Sequence, residues 1–182
     1  VIVGIGYATS RRNTVCITDL SRDEQLTLTP KSRDILERYK GQELTLTTYV
    51  NIMDEHTAAR MFPKSRIGDM SVFSKYYRFK PDMKLKYVYY YDTTANPMLD
   101  RRFPNATLRE KMVEVCKIYG LDSNKFMAPE EIRKIIDLSG ENNTFVRQIV
   151  RDNGEKAWLR IYNDMQRFPS EKEISAAFKR MV

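Results

Sequence analysis

Histidine and tryptophan each occur once and cysteine only twice in 182 residues, and these scarcities close off several chemistries. Cys16 and Cys116 lie far apart and belong to no C-x-x-C or Cys/His cluster. That excludes a disulfide framework, a structural zinc site and a dithiol redox centre, and leaves open only a single bridge between them. No G-x-x-x-x-G-K-[ST] occurs, and Gly4-x-Gly6 lacks the rest of a dinucleotide fingerprint, so no nucleotide cradle is present and the chain is not itself an ATPase. Seven glycines and seven prolines exclude collagen-like and low-complexity chains, and no internal repeat occurs.

What is present is the composition of a globular domain: 42% hydrophobic, 30% charged and 11% aromatic residues. A chain of this length buries roughly 70% of its unfolded surface, so a core forms without staples. One domain is expected, and two small ones stay open. Thirty-one Lys plus Arg against 24 Asp plus Glu give a net charge of +7. Nucleic acid, anionic head groups, an acidic partner or a merely solvated basic surface all fit that surplus. The chain starts at Val1 with VIVGIGYAT, an apolar stretch too short to span a bilayer, then turns basic at Arg11 and Arg12. It reads either as the end of a membrane helix meeting charged surface, in an excised piece, or as an edge strand.

Residues 15–29 alternate weakly, as two extended pieces around a turn at 21–24. Thr29-Pro30 starts a helix over 30–39, with a hydroxyl cap and proline at the first position, and Gly41 stops it. Residues 43–52, rich in Thr, Leu, Tyr and Val, form a strand with Leu44, Leu46 and Val50 inward. A short helix is expected over 56–61, and a longer one over 65–79, with Ile67, Met70, Val72, Phe73 and Tyr76 or Tyr77 at helical spacing. Pro81 ends it, and 83–91 alternates Leu85, Tyr87 and Tyr89 against Lys84, Lys86, Val88 and Tyr90 as a strand. After a loop over 92–104, Asn105 caps a helix to Tyr119, and Pro129 begins a short one. Asn153-Gly154 between alternating runs predicts a two-residue hairpin turn. That register sets Val146, Gln148 and Val150 with Leu159 and Ile161, opposite Phe145, Arg147, Ile149, Trp158, Arg160 and Tyr162. A last helix follows Ser170.

From residue 43 the order is strand, helix, strand, helix, short helix, strand, strand, helix. This is the order of a thioredoxin-like α/β domain, a central mixed sheet with a terminal antiparallel hairpin and helices on both faces. A flavodoxin-like sheet competes, and the Asn-Gly hairpin argues against it. The expected division is an N-terminal extended segment over 1–29, following a membrane helix, and the thioredoxin-like domain over 30–182.

A thioredoxin-like enzyme needs a thiol at the start of its first core helix, where the dipole lowers its pKa. Here Asp54, Glu55, His56 and Thr57 follow the first strand, so the usual redox route is out. His56 is the only residue that could support a novel acid-base or metal site, and a solvated histidine explains it as well. The pairs Asp23-Glu24 and Glu130-Glu131 suit a turn and a helix start and support no glycosidase chemistry. Asn105-Ala106-Thr107 and Asn142-Asn143-Thr144 match a glycosylation sequon that is frequent by chance. No catalytic, cofactor or metal residue is assigned. The candidate interaction surface is Arg66, Lys75, Arg78, Lys80, Lys84 and Lys86, interleaved with Phe73, Tyr76, Tyr77 and Phe79. Cations among aromatics are what single-stranded nucleic acid binding uses, and what a core helix with outward lysines shows too.

Three stretches together resemble one family. They are Thr18-Asp19-Leu20-Ser21 with Leu26-Thr27-Leu28-Thr29-Pro30-Lys31-Ser32; the strand from Leu44 with Phe73-Ser74-Lys75-Tyr76-Tyr77 running to Asp92 and Pro97; and EKEISAAFKRMV from Glu171. They resemble the N-terminal extracytoplasmic domain of the gliding-motility-type auxiliary component of bacterial ABC transport systems. The family's aspartate-proline dipeptide after the second strand is replaced by Asp92-Thr93-Thr94, with Pro97 later, which puts that loop's role in doubt. The resemblance implies a non-enzymatic, cofactor-free module held by flanking membrane segments at the periplasmic face of the inner membrane, with ABC transporter permease and ATPase subunits as partners. Nucleic acid is not an expected partner on this reading. The alternative is a cytosolic nucleic-acid-binding module using residues 64–91.

Overall fold

The computed structural model describes residues 27–57, 62–64, 66–160, 162 and 167–181. The expectations for 1–26, with Cys16, the glycine pair and Asp23-Glu24, lie outside the described residues, as does most of the short helix expected over 56–61; His56 and Thr57 are not helical. Among the described residues the protein is mixed α/β, with a four-stranded mixed sheet and seven α-helices. The sheet consists of β1 (Leu44–Asn51), β2 (Lys84–Tyr90), β3 (Val146–Arg151) and β4 (Lys156–Leu159) in the order β2-β1-β3-β4. β1 and β2 run parallel, and β3 is antiparallel to both β1 and β4. Past Tyr90 the β2 edge is continued by Met127, whose N–H donates to the Tyr89 carbonyl (3.0 Å) and whose carbonyl accepts from the Tyr91 N–H (3.1 Å).

The helices begin where local chemistry starts them. In α1 (Pro30–Glu37) the Thr29 hydroxyl accepts the Ser32 N–H, and Pro30 fills a position that needs no donor. The expected helix over 65–79 is two, α2 (Arg66–Val72) and α3 (Ser74–Phe79), divided at Phe73, where the Phe73 N–H bonds three residues back to Met70 instead of four. The segment expected as a loop holds α4 (Pro97–Arg102), capped by the Asn96 side chain on the Leu99 N–H. α5 (Leu108–Tyr119) is capped by Thr107 rather than Asn105, because Thr107 and Glu110 form a reciprocal capping box. Gly120 closes it in the left-handed conformation at φ 60°. α6 is Pro129–Ile135, and α7, Glu171–Arg180, begins at Ser170.

The hairpin departs from its expected register. A two-residue turn of the expected type needs positive φ at both Asn153 and Gly154, and only Gly154 has it, at 88°. Arg151 instead pairs with Glu155 across a three-residue loop, the Arg151 N–H donating to the Glu155 carbonyl at 2.8 Å. One extra loop residue shifts the parity of β4 and exchanges its faces. Leu159 therefore lies beside Arg147, and Trp158 beside Gln148.

Both sheet faces bury apolar residues. On the first, Leu44, Leu46, Ile149, Ala157 and Leu159 pack under Ile35 and Leu36 of α1, Phe73 and Tyr76, and Ile174, Ala177 and Phe178 of α7. At the upper end of that face Val50, Tyr87 and Tyr89 meet Met112, Val115 and Cys116 of α5. On the second face, Ile132 of α6 and Leu138 cover Tyr49, Tyr90 and Val146. Among the described residues no helix is long and apolar enough to cross a membrane.

An ion pair lies within the first face. Arg147 and Asp69 have no exposed side-chain surface and join in a two-pronged contact at 2.9 and 2.6 Å. The Thr48 hydroxyl accepts a further Arg147 N–H at 2.8 Å, and the Tyr87 phenol donates to Asp69 at 2.5 Å. Burial and the adjacent Asp69 hold that phenol's pKa far above its usual value. Phe73, Phe145 and Phe168 surround the guanidinium within 5.7 Å of their ring centres. At the surface, Glu171 joins α7 to α1 by accepting the Thr29 N–H (2.9 Å) and hydroxyl (2.7 Å), with Lys75 3.3 Å from its other oxygen.

Asp69→Asn or Arg147→Met leaves one buried charge unpaired and is expected to lower unfolding free energy by about 3–5 kcal/mol in urea titration. Replacing both with Leu and Met is expected to lower it by less than the sum of the two single changes. A second outcome concerns acid. Burial pushes the Glu171 carboxyl up, but hydrogen bonds from Ser32 and Thr29 and the charge of Lys75 outweigh it, so its pKa lies below the ordinary glutamate value of 4.5. The stability it contributes is present above pH 4.5 and lost as pH falls through the depressed folded value. Glu171→Gln is expected to flatten that part of the stability profile, read by denaturant titration at stepped pH.

Candidate functional site

Parallel strands in an open α/β sheet bring loops together at their carboxyl ends, and ligands are commonly held there. β1 and β2 end in Asn51 and Tyr90, and the loops beyond them are stitched by amides. The Asn51 side-chain amide donates to the Asp92 and Asn143 carbonyls at 3.0 and 2.8 Å, and its oxygen accepts the Met53 N–H at 3.0 Å. Asp92 is buried; its carboxylate accepts the Thr93 N–H (2.7 Å) and both its oxygens accept from Arg133 at 3.0 and 2.9 Å. The loop after β2 is thus held by this aspartate and α6. The Asn96 amide donates to the Met53 carbonyl at 2.8 Å and so fixes the start of α4.

Beside this belt lies a cleft of about 240 Å³ between the loop after β1, α4 and α5. Ile52, Phe62, Leu99 and Val115 wall it, Asp54, Glu55, Asn96 and Arg102 supply polar groups, and Met98, Ile118 and Tyr119 stand at it. Those last three are at least half exposed, at 69%, 51% and 50%. Lys111 holds α4 to α5 through Asp100 at 2.7 Å, and Phe62 meets Tyr119 edge-on at 5.0 Å between ring centres. Three exposed apolar side chains thus stand around one recess.

Asp54, buried to 4%, accepts the Phe145 N–H at 2.7 Å through one oxygen. Its other oxygen accepts the His56 N–H and lies 3.1 Å from His56 Nδ1. That pairing closes a short aspartate turn. Thr57, the hydroxyl beside it, donates to the Asn51 carbonyl at 2.8 Å and is not presented as a nucleophile. Cys116 is 1% exposed against the Met112 sulfur, and burial pushes its thiol up to about 11. It is a free thiol, so no bridge involving it forms here. Among the described residues no three His, Cys, Asp or Glu side chains gather as a metal site.

The six cations singled out from the sequence do not form one patch. Arg66 and Arg78 are exposed on α2 and α3, Lys75 is half-buried against Glu171, and Lys80 is buried with its amine 2.6 Å from Asp82. Lys84 and Lys86 project from the second sheet face on β2, with Lys84 2.6 Å from Glu43. Phe73 and Tyr76, which could have stacked bases, are 1% and 2% exposed in the core. The cleft is not evident in the sequence, where 92–104 reads as a loop, although Asn96-Pro97 carries a cap followed by proline at the first helical position. Compared with protein families, curated proteins and solved structures, the chain has no match.

With its thiolate form suppressed and its sulfur covered, Cys116 is expected to react with a thiol reagent at neutral pH at least tenfold more slowly in the native protein than in urea. Equal rates would show that the α5 seam opens readily.

Proposed function

We propose that the chain is a non-catalytic, extracytoplasmic, thioredoxin-like domain of a membrane-anchored ABC transporter component. It works at the periplasmic face of the bacterial inner membrane by contacting the transporter's permease, which couples it to the ATPase subunits. The observation that carries this reading is the strand order β2-β1-β3-β4, with two parallel strands, a terminal antiparallel hairpin and a closing helix. That arrangement agrees with the fold implied by the sequence resemblance. In such a domain an enzyme sets a low-pKa thiol after the first strand. Asp54, Glu55, His56 and Thr57 stand there, locked by hydrogen bonds, beside a cleft with exposed Met98, Ile118 and Tyr119. The position associated with redox chemistry serves contact instead, by receiving an apolar side chain of the permease.

The test is the location of the full-length protein. Membrane association is expected, with cleavage of this domain by added protease only after the outer envelope is opened. Recovery in the soluble cytosol overturns the reading. Ile118→Asp, on an exposed position that leaves folding intact, is expected to reduce cross-linking to the permease several-fold with an unchanged Tm.

A further inference from the structure

α1 and α7 lie side by side and run in the same direction. At their starts Thr29 bonds to Glu171, one turn on the Ser32 and Ser175 hydroxyls meet at 2.7 Å, and beyond α1 the Tyr39 ring packs on Phe178 at 5.4 Å between ring centres. Ile35, Leu36, Ile174, Ala177 and Phe178 of the two helices are spent on the core. Along the seam the short side chains of Ser32, Ser175 and Ala176 leave a groove of about 510 Å³, with Ile35 in its wall. Ser175 and Ala176 are partly exposed within it.

The charge around this groove is of one sign. On α7 Lys172, Ser175, Ala176 and Lys179 fall at i, i+3, i+4 and i+7, so they share one helix face. Two lysines about 10.5 Å apart along the axis therefore flank a small, uncharged centre. Lys31 stands on the α1 side. All three lysines are exposed, and none has a carboxylate partner among the described residues. Glu171, the carboxylate that lines the groove, is already engaged by Thr29 and Lys75. An occupant that complements these walls is apolar at its middle and acidic at both ends.

We propose that this groove receives an amphipathic helix of a partner protein, with acidic residues seven positions apart and apolar residues between them. Laid along the seam, such a helix repeats its side chains at the same spacing of about 10.5 Å, so one acid meets Lys172 and the next meets Lys179. The apolar residues three and four positions after the first acid then lie over Ser175, Ala176 and Ile35. A second copy of this chain fits less well, because the same face turned on itself sets lysine against lysine. A flat lipid surface meets the ammonium groups and leaves the groove unfilled. The groove is a different surface from the cleft, and the inference does not depend on the transporter reading.

The probe is a fluorescein-labelled synthetic helix with glutamates seven positions apart and leucines between them, titrated with the full chain and followed by anisotropy at low and high salt. A control helix carries lysine in place of each glutamate. Saturable binding of the acidic helix is expected, with affinity falling several-fold as salt rises, and the control is expected to bind roughly tenfold more weakly or worse. Combining Lys172→Glu with Lys179→Glu is expected to weaken the acidic helix roughly tenfold or more. Ala176→Phe fills the groove without altering charge and is expected to weaken it about fivefold, which separates occupation of the groove from attraction to surface lysines. Circular dichroism is expected to be unchanged in both variants, because none of the three positions is buried. No binding at low salt, full affinity in either variant, tighter binding to phosphatidylglycerol vesicles than to the helix, or a dimer in sedimentation that Ala176→Phe dissociates would each overturn the proposal.

Discussion

The guanidinium of Arg147 must be neutralised inside the sheet's first face, and much of the architecture follows from that requirement. A charge taken out of water is tolerated only with a matched partner and saturated hydrogen bonds. Asp69 provides the charge from α2, Thr48 and Tyr87 provide further bonds from β1 and β2, and three aromatic rings exclude water. The pair thereby fixes how α2, β1, β2 and β3 meet. An all-apolar packing of the same elements would permit sliding; directional bonds to four of them do not.

From that frame the two ends of the sheet take different characters. At the carboxyl ends of β1 and β2, Asn51, Asp54 and Asp92 bond to backbone groups of neighbouring loops, so the polar groups there are consumed in holding shape. Beside them Met98, Ile118 and Tyr119 are exposed around the cleft, with Glu55 and Arg102. At the other end, on the second face, the available groups are cationic.

Much of the element order was legible because it rests on local signals. Thr29-Pro30, Gly120 and the alternation of 83–91 each carry their structure within a few residues. Register was less legible, since it depends on backbone angles at Asn153 that composition does not dictate, and one loop residue reversed the faces of Trp158 and Leu159. The buried ion pair was not legible either. Nothing local to Asp69 signals its burial, and its partner is 78 positions away in the chain. The candidate cation set failed as a patch for the same reason: nearness in sequence placed Lys80 beside Lys84, while the fold buried the first and exposed the second.

The outer strands carry a consequence of their own. A sheet with free edges invites another copy to add its strand, and natural proteins obstruct such pairing with lysine or a covering segment. Here the upper part of β2 is bonded to Met127, the lower part carries Lys84 and Lys86, and β4 opens with Lys156. Copies meeting edge to edge would press lysine against lysine. These lysines therefore work against strand addition between copies, and so against growth of the sheet into fibrils.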